Sequence, residues 1–344
     1  MEYTTSKMTE NNTDFNRFMP LMNTAVLPGR CMDYIGQMGD EHQKRIARAE
    51  YYYFSGQPEK AVKETRMYLD DTDIMLRLSA CLIYSYANLS LGNISEVEYG
   101  LEEIQAMSEF TGKESVPVRS VKDFTVSAAS VLLHLPCQES LSLLEKRMQL
   151  LPFGLRSFSM YVLCHHLYLK QEYGKSVGMA EAALMMGAEK YLIPGIYLHL
   201  VAVMNYMSLK ETEKAKNHLV TAWEMARPDN LIEGFGEHHG LLGGMLESVI
   251  KPGWPEDFKR MIHITYRFSE GWRKIHNPVT GENVADDLTT TEFAVAMLAA
   301  RGWTNAEIAA HLNISPNTVK LHLSHVMSKV GVSSRYELKK FMLR

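Results

Sequence analysis

A short turn that returns at near-constant intervals limits what this chain can fold into more than any other feature. "YFSGQPEKA" sets Gly56 five residues before Ala61, and 36 residues later "LSLGNISEV" sets Gly92 five residues before Val97. Turns of the same kind recur at "LPCQESL", "LKQEYGKS" and "LKETEKA". Anchored on Ser140, Ser176 and Ala215, the successive spacings are 36, 43, 36 and 39 residues. Twelve residues before the anchors stand Ala49, Ser85, Ala128, Cys164 and Val203, four of the five small. Small residues on both helices of a hairpin let the two cross closely. Pro152 and Pro228 close two of the units where a helix must stop. One such unit cannot bury its apolar face alone, so the units must stack. The expectation is an all-α chain whose residues 41–228 form an array of helical hairpins.

This pattern resembles a run of degenerate tetratricopeptide repeats, which implies an α-solenoid with an extended concave surface. Before it, residues 1–40 read as a partly disordered or capping segment. After it, residues 229–276 read as two capping helices, Leu231 to Ile250 and Pro255 to Ile275, separated by the breaker "KPGWP". "NPVTGENVADD", residues 277–287, has turn formers and no apolar periodicity and reads as a linker.

Charge changes sign at that linker. Residues 1–287 carry a net −8 and residues 288–344 a net +4, as suits a small module that meets a polyanion, held by a body that does not. The C-terminal module has well-marked helix starts. Thr289 with Glu292, Thr304 with Glu307 and Ser334 with Glu337 fit the capping-box spacing, and Ser315 precedes Pro316 as an N-cap does. Four helices of about three turns must pack as one unit, since helices this short do not stand alone.

On the third of them, Val319, Leu323, Val326 and Val330 form the buried face. The opposite face carries Asn317, Leu321, Ser324 and Ser328, flanked by Lys320, Thr318, His325 and Lys329. Small polar and apolar groups fit against base edges in a major groove, and cations at the margins meet phosphate.

From Leu288, through "EIAAHLNISPNTVKLHL", to "GVSSRYEL", the segment resembles the helix-turn-helix domain of LuxR-type transcriptional regulators. The resemblance implies that the third helix enters the major groove of double-stranded DNA. Asn317, Thr318, Lys320, Leu321, Ser324, His325 and Lys329 are the candidate DNA-binding residues; Ser324 stands where relatives often carry Lys or Arg. It also implies a fourth helix that joins two such domains, hence a homodimer on DNA. The combination resembles MalT-like regulators, but no G-x-x-x-x-G-K-[ST] phosphate loop occurs in the chain. No nucleotide cofactor is expected, and no receiver domain precedes the array. The alternative is a helical-repeat adaptor that uses its helix-turn-helix to dock proteins.

The array is expected to sense a small effector or a protein partner. "IEGFGEHHGLLGGM" is the candidate effector or interdomain site, with Glu237, His238 and His239; as adjacent histidines on a helix, the pair points to different sides and makes a poor chelate. Phe293, Met297 and Ala300 form a second apolar stripe on the first helix of the C-terminal domain. The LuxR pattern has polar residues at the first two of these positions, so the stripe is a docking candidate, with the array as the favoured occupant and a partner subunit or RNA polymerase as the alternatives.

Other classes are disfavoured. Cys31, Cys81, Cys137 and Cys164 are widely spaced and suggest neither a metal site nor a disulfide framework. The opening "MEYTTSKMTENNTDF" lacks the apolar region of a signal peptide, and the uncharged runs at 78–95 and 191–209 read as buried helices. No nucleophile and base pair stands out. The reading is a cytoplasmic protein with no catalytic residues, no metal, no other cofactor and no membrane partner.

Overall fold

The computed structural model describes residues 15–109, 114–135, 138–276 and 288–339. Every regular element among them is helical. After α1 (Cys31–Gln37) come five hairpins: α2 (Glu41–Phe54) with α3 (Pro58–Thr65), α4 (Ile74–Leu91) with α5 (Ile94–Ser108), α6 (Val116–Leu132) with α7 (Gln138–Arg147), α8 (Phe153–Leu169) with α9 (Tyr173–Met185), and α10 (Leu192–Ser208) with α11 (Thr212–Ala226). The repeat anchors fall on the second helix of each hairpin and their small counterparts on the first. Ala49, Ser85, Ala128, Cys164 and Val203 are all buried, as are Ala61, Val97, Ser176 and Ala215. At one of these crossings Ser176 donates to the carbonyl of Cys164 at 2.7 Å.

Two helices of the array, α4 and α10, are mostly apolar and almost wholly buried. α10 is buried from Leu192 to Met207 and packs on α8, α9 and α11. α4 is long and apolar enough to cross a membrane, but 83% of it is buried inside the protein, where it meets α2, α3, α5 and α6. A helix without a polar face has to be enclosed on every side.

The N-terminal segment from Phe15 onward is built into the array. Phe18 and Met22 are buried. The amides of Leu21 and Met22 donate to the enclosed carboxylate of Glu50 at 2.8 and 2.9 Å. Arg17 joins two helix N-caps, pairing with Asp40 at 2.7 Å and Asp73 at 2.8 Å. The amides of Gly29 and Cys31 reach Asp229 at 2.5 and 3.0 Å, tying the start of the described chain to the end of the last hairpin.

The region after the array differs from the expected pair of capping helices. Residues 231–250 do not form one helix: α12 (Glu233–Glu237) is followed by turns, a five-residue π-helical turn at 246–250 and the short α13 (Lys251–Gly253). α12 ends at Glu237, and the turns that follow include Gly243 and Gly244, whose φ angles of +61° and +78° lie outside any right-handed helix. α14 (Pro255–His276) then runs back across α12 and α4. Its Gly271 lies so close to α4 that a Cβ there would stand 1.8 Å from the carbonyl oxygen of Leu89.

In consequence α12 and α14 pack onto the aromatic residues of the array. Phe54, Tyr161 and Tyr197 meet edge to face, with centroids 5.7 and 5.1 Å apart, and α12 inserts its polar side chains among them. The linker at 277–287 and Cys137 lie outside the described residues.

The C-terminal domain contains α15 (Thr290–Ala300), α16 (Asn305–Leu312) and α17 (Pro316–Val330). Thr289 with Glu292 and Thr304 with Glu307 form complete capping boxes, and Ser315 caps α17 with Pro316 in its first turn. At the third site the Glu337 carboxylate accepts from the Ser334 amide at 3.0 Å. Residues 335–338 form turns, Leu338 is buried, and residues 340–344, on which the rest of a fourth helix would fall, lie outside the described residues.

Candidate nucleic-acid interface

α17 divides its side chains cleanly. Val319, Leu323, Val326 and Val330 are buried against α15 and α16. Asn317, Lys320, Leu321, Ser324 and Ser328 are exposed on the opposite side, with 54% of Leu321 accessible. This face combines an amide, hydroxyls, one cation and an aliphatic group, the mixture that suits base edges and a thymine methyl. Thr318 is half-buried and its hydroxyl lies 2.8 Å from that of Ser315, so it belongs partly to the helix cap.

Lys329 and His325, further along, are placed differently from Lys320. Lys329 donates to Glu292 at 2.8 Å, and the His325 Nδ1 lies 3.7 Å from the other oxygen of the same carboxylate. The Glu292 side chain is 6% exposed. Burial pushes its carboxyl up, but the bonds from Lys329 and from the Thr289 amide outweigh that and hold it below its usual range. Arg335 is engaged as well, donating to Asn305 at 3.0 Å and to the carbonyl of Trp303. Sequence reading assigned Glu292 only to a cap. Its partner is 37 residues away on another helix, a relation that no helical spacing announces.

The face formed by α15 and α16 lies against the array. The Phe293 ring tilts over His239 with centroids 6.1 Å apart. Arg301 reaches in, donating to the Tyr168 hydroxyl at 2.9 Å and to the carbonyl of Leu241. Lys210 of the array reaches out to the carbonyl of Gly302 and to Glu307, both at 3.2 Å. The His311 Nε2 lies 3.1 Å from the carbonyl of Gly243. Met297 is buried and Ala300 half-buried. Arg301 went unnoticed in the sequence; a lone cation closing an apolar helix was the available sign.

His238 and His239 are both buried and point apart. The His238 Nε2 lies 2.8 Å from the Tyr161 hydroxyl, and its Nδ1 lies 2.7 Å from the carbonyl of Gly234, an arrangement that suits a neutral ring. Burial lowers its pKa to about 4. His239 instead pairs with Glu247 at 2.7 Å. Glu237 accepts from the hydroxyls of Tyr53 and Tyr197, and Glu233 accepts from Ser90 at 2.9 Å. Burial raises both carboxyls well above the usual range, and for Glu233 the neighbouring Glu237 adds to the effect. Three of the candidate residues are thus brought to one segment that has the tyrosine-lined interior at one end and the C-terminal domain at the other.

Comparison with known proteins gives the class of the C-terminal domain. Residues 286–342 match the family of bacterial regulatory proteins, luxR family, so this domain is a LuxR-type helix-turn-helix. Among similar proteins are the probable transcriptional regulatory protein SgaR of Hyphomicrobium methylovorum, 48% identical over 50 residues, and the transcriptional regulatory protein UhpA of Escherichia coli K12, 46% identical over 57 residues. A putative HTH-type transcriptional regulator of Mycobacterium bovis is 47% identical over 51 residues. These matches cover 14%, 17% and 15% of this chain and 24%, 29% and 6% of the relatives, so the chain spans less than a third of each of them. No solved structure matches the chain.

Proposed function

We propose that this chain is a sequence-specific DNA-binding transcription regulator, in which the helical array senses an effector or a protein partner and α17 reads the major groove. The observation that carries the reading is the open face of α17, where Asn317, Lys320, Leu321 and Ser324 are exposed together on a LuxR-type domain. Lys320 is the cation of that face placed to meet a guanine or a phosphate, while Lys329 and His325 border it from their pairing with Glu292.

A dimer on DNA, formed through the region after Val330, is part of the proposal, as are a cytoplasmic location and a contact with RNA polymerase. We assign no catalytic step to the chain. The test is selection of duplex sequences by the full chain, followed by titration of the enriched duplex at several salt concentrations. Binding should weaken with salt at a log-log slope of about −0.9 per phosphate neutralised. Failure to enrich any duplex, or affinity independent of salt, would contradict the reading.

A further inference from the structure

Residues 240–244 meet the C-terminal domain with three glycines, and at each one that domain fills the space a side chain would need. A Cβ on Gly240 would lie 2.4 Å from the Phe293 ring, one on Gly243 would lie 2.3 Å from the Arg301 guanidinium, and one on Gly244 would lie 2.7 Å from Leu312. The rim of this contact is polar and directional. Arg301 and His311 meet backbone carbonyls at Leu241 and Gly243, and Lys210 answers from the array with bonds to Gly302 and Glu307. These contacts fall on α15, α16 and the turn that joins them, and the open face of α17 is exposed.

We propose that residues 240–244 are a socket for this chain's own C-terminal domain, and that the array governs DNA reading by fixing where that domain stands rather than by covering the helix that reads. The second half rests on the proposed function; the first does not require DNA. The occupant follows from the fit: three glycines matched to three side chains, with hydrogen bonds running in both directions across the contact. When docked, the domain inherits the orientation of the array, so two chains present their reading helices at one separation. When released, the domain hangs on the eleven residues 277–287, which reach at most roughly 40 Å and let that separation vary.

The test uses the full chain, wild type and the variants Gly240→Leu and Phe293→Arg, with hydrogen exchange read by mass spectrometry and DNA affinity read by titration. Release predicts that exchange in residues 238–247 accelerates by about tenfold or more in both variants while residues 316–330 keep their protection. If residues 238–247 exchange as in the wild type, the socket is refuted. Should Gly240→Leu also expose residues 316–330, Phe293→Arg decides, because Phe293 is half-buried and lies on the docked side of its helix.

On DNA, the released variants should bind a single half-site as the wild type does, and should lose its preference among half-sites spaced at different multiples of about 10 bp. Much tighter binding of a single half-site by the released variants would mean that docking covers the reading surface, and would overturn the second half. A wild type that binds no duplex would refute the proposed function and leave the exchange result standing.

Discussion

Lys329, near the end of α17, donates to Glu292 in the first turn of α15 at 2.8 Å. The same carboxylate closes the capping box with Thr289, so one buried group sets both the start of α15 and the position of α17 beneath it. Glu292→Gln should lower the stability of the C-terminal domain by about 1–3 kcal/mol, because the ammonium loses its counter-charge and the cap is weakened. Lys329→Met should also destabilise, toward the lower end since the lysine is partly exposed. Its thermal midpoint should fall more clearly than its DNA affinity. Melting curves set against binding titrations separate the two effects.

Lys320→Ala should behave in the opposite way. The lysine is exposed on the open face of α17, so the melting curve should not move. DNA binding should weaken by about 1–3 kcal/mol if the side chain meets a base, or equally for all sequences with a shallower salt slope if it meets phosphate. Titrations against matched and mismatched duplexes decide between them.

Close approach sets a further expectation. Gly271 of α14 touches the backbone of α4 at Leu89, and a backbone carbonyl cannot turn aside as a side-chain end can. Gly271→Ala should therefore cost about 1–3 kcal/mol by forcing α14 away from the array. Chemical denaturation should read this as a shift in midpoint. Gly174→Ala is the control, because a Cβ there meets nothing within 4 Å.

Several buried groups titrate in the folded chain far from their usual range, which shapes stability against pH. Glu50 is pushed up to about 8 by burial, although its two amide donors oppose the change. Glu233 and Glu237 are raised as well. An unfolded carboxyl has a pKa of about 4.3, so between there and about pH 8 the unfolded chain releases protons that the folded chain keeps, and stability falls as pH rises. His238 and His199, lowered by burial to about 4 and about 3, act at the other end. Unfolded histidine takes up its proton near pH 6.5, so their contribution is lost as pH falls below that value. Thermal midpoints across pH should therefore peak in mildly acidic buffer and decline on both sides. A midpoint that rises steadily from pH 6 to 9 would contradict the burial of these carboxyls.

Much of this architecture was legible in the residues themselves. The repeat anchors at Ala61, Val97, Ser176 and Ala215 are packing positions, and packing imposes a period on the sequence. Thr289, Thr304 and Ser315 mark helix starts because orphan amides need a local acceptor. The two sides of α17 followed from helical spacing. What escaped depended on contacts between distant segments. The apolar pattern of 231–250 suggested one helix, but Gly243 and Gly244 turn the chain there and make room for Arg301 and Leu312. His238 and His239 gave no sign that both are enclosed, since burial is set by α8 and by the C-terminal domain rather than by their neighbours in sequence. The return of α14 across α4 was equally hidden, because a single glycine at 271 has many possible meanings.

Leu321 stands at the middle of the face with which α17 is proposed to read duplex DNA. Leu321 is 54% exposed in the middle of that face, so Leu321→Glu leaves the fold intact while placing a carboxylate where base edges and phosphates would lie. The measurement is the affinity of wild type and variant for the duplex enriched by the wild type, with melting curves recorded in parallel. The melting curve should be unchanged and specific binding lost. Equal affinity in the two proteins would place DNA elsewhere on the molecule and contradict that reading.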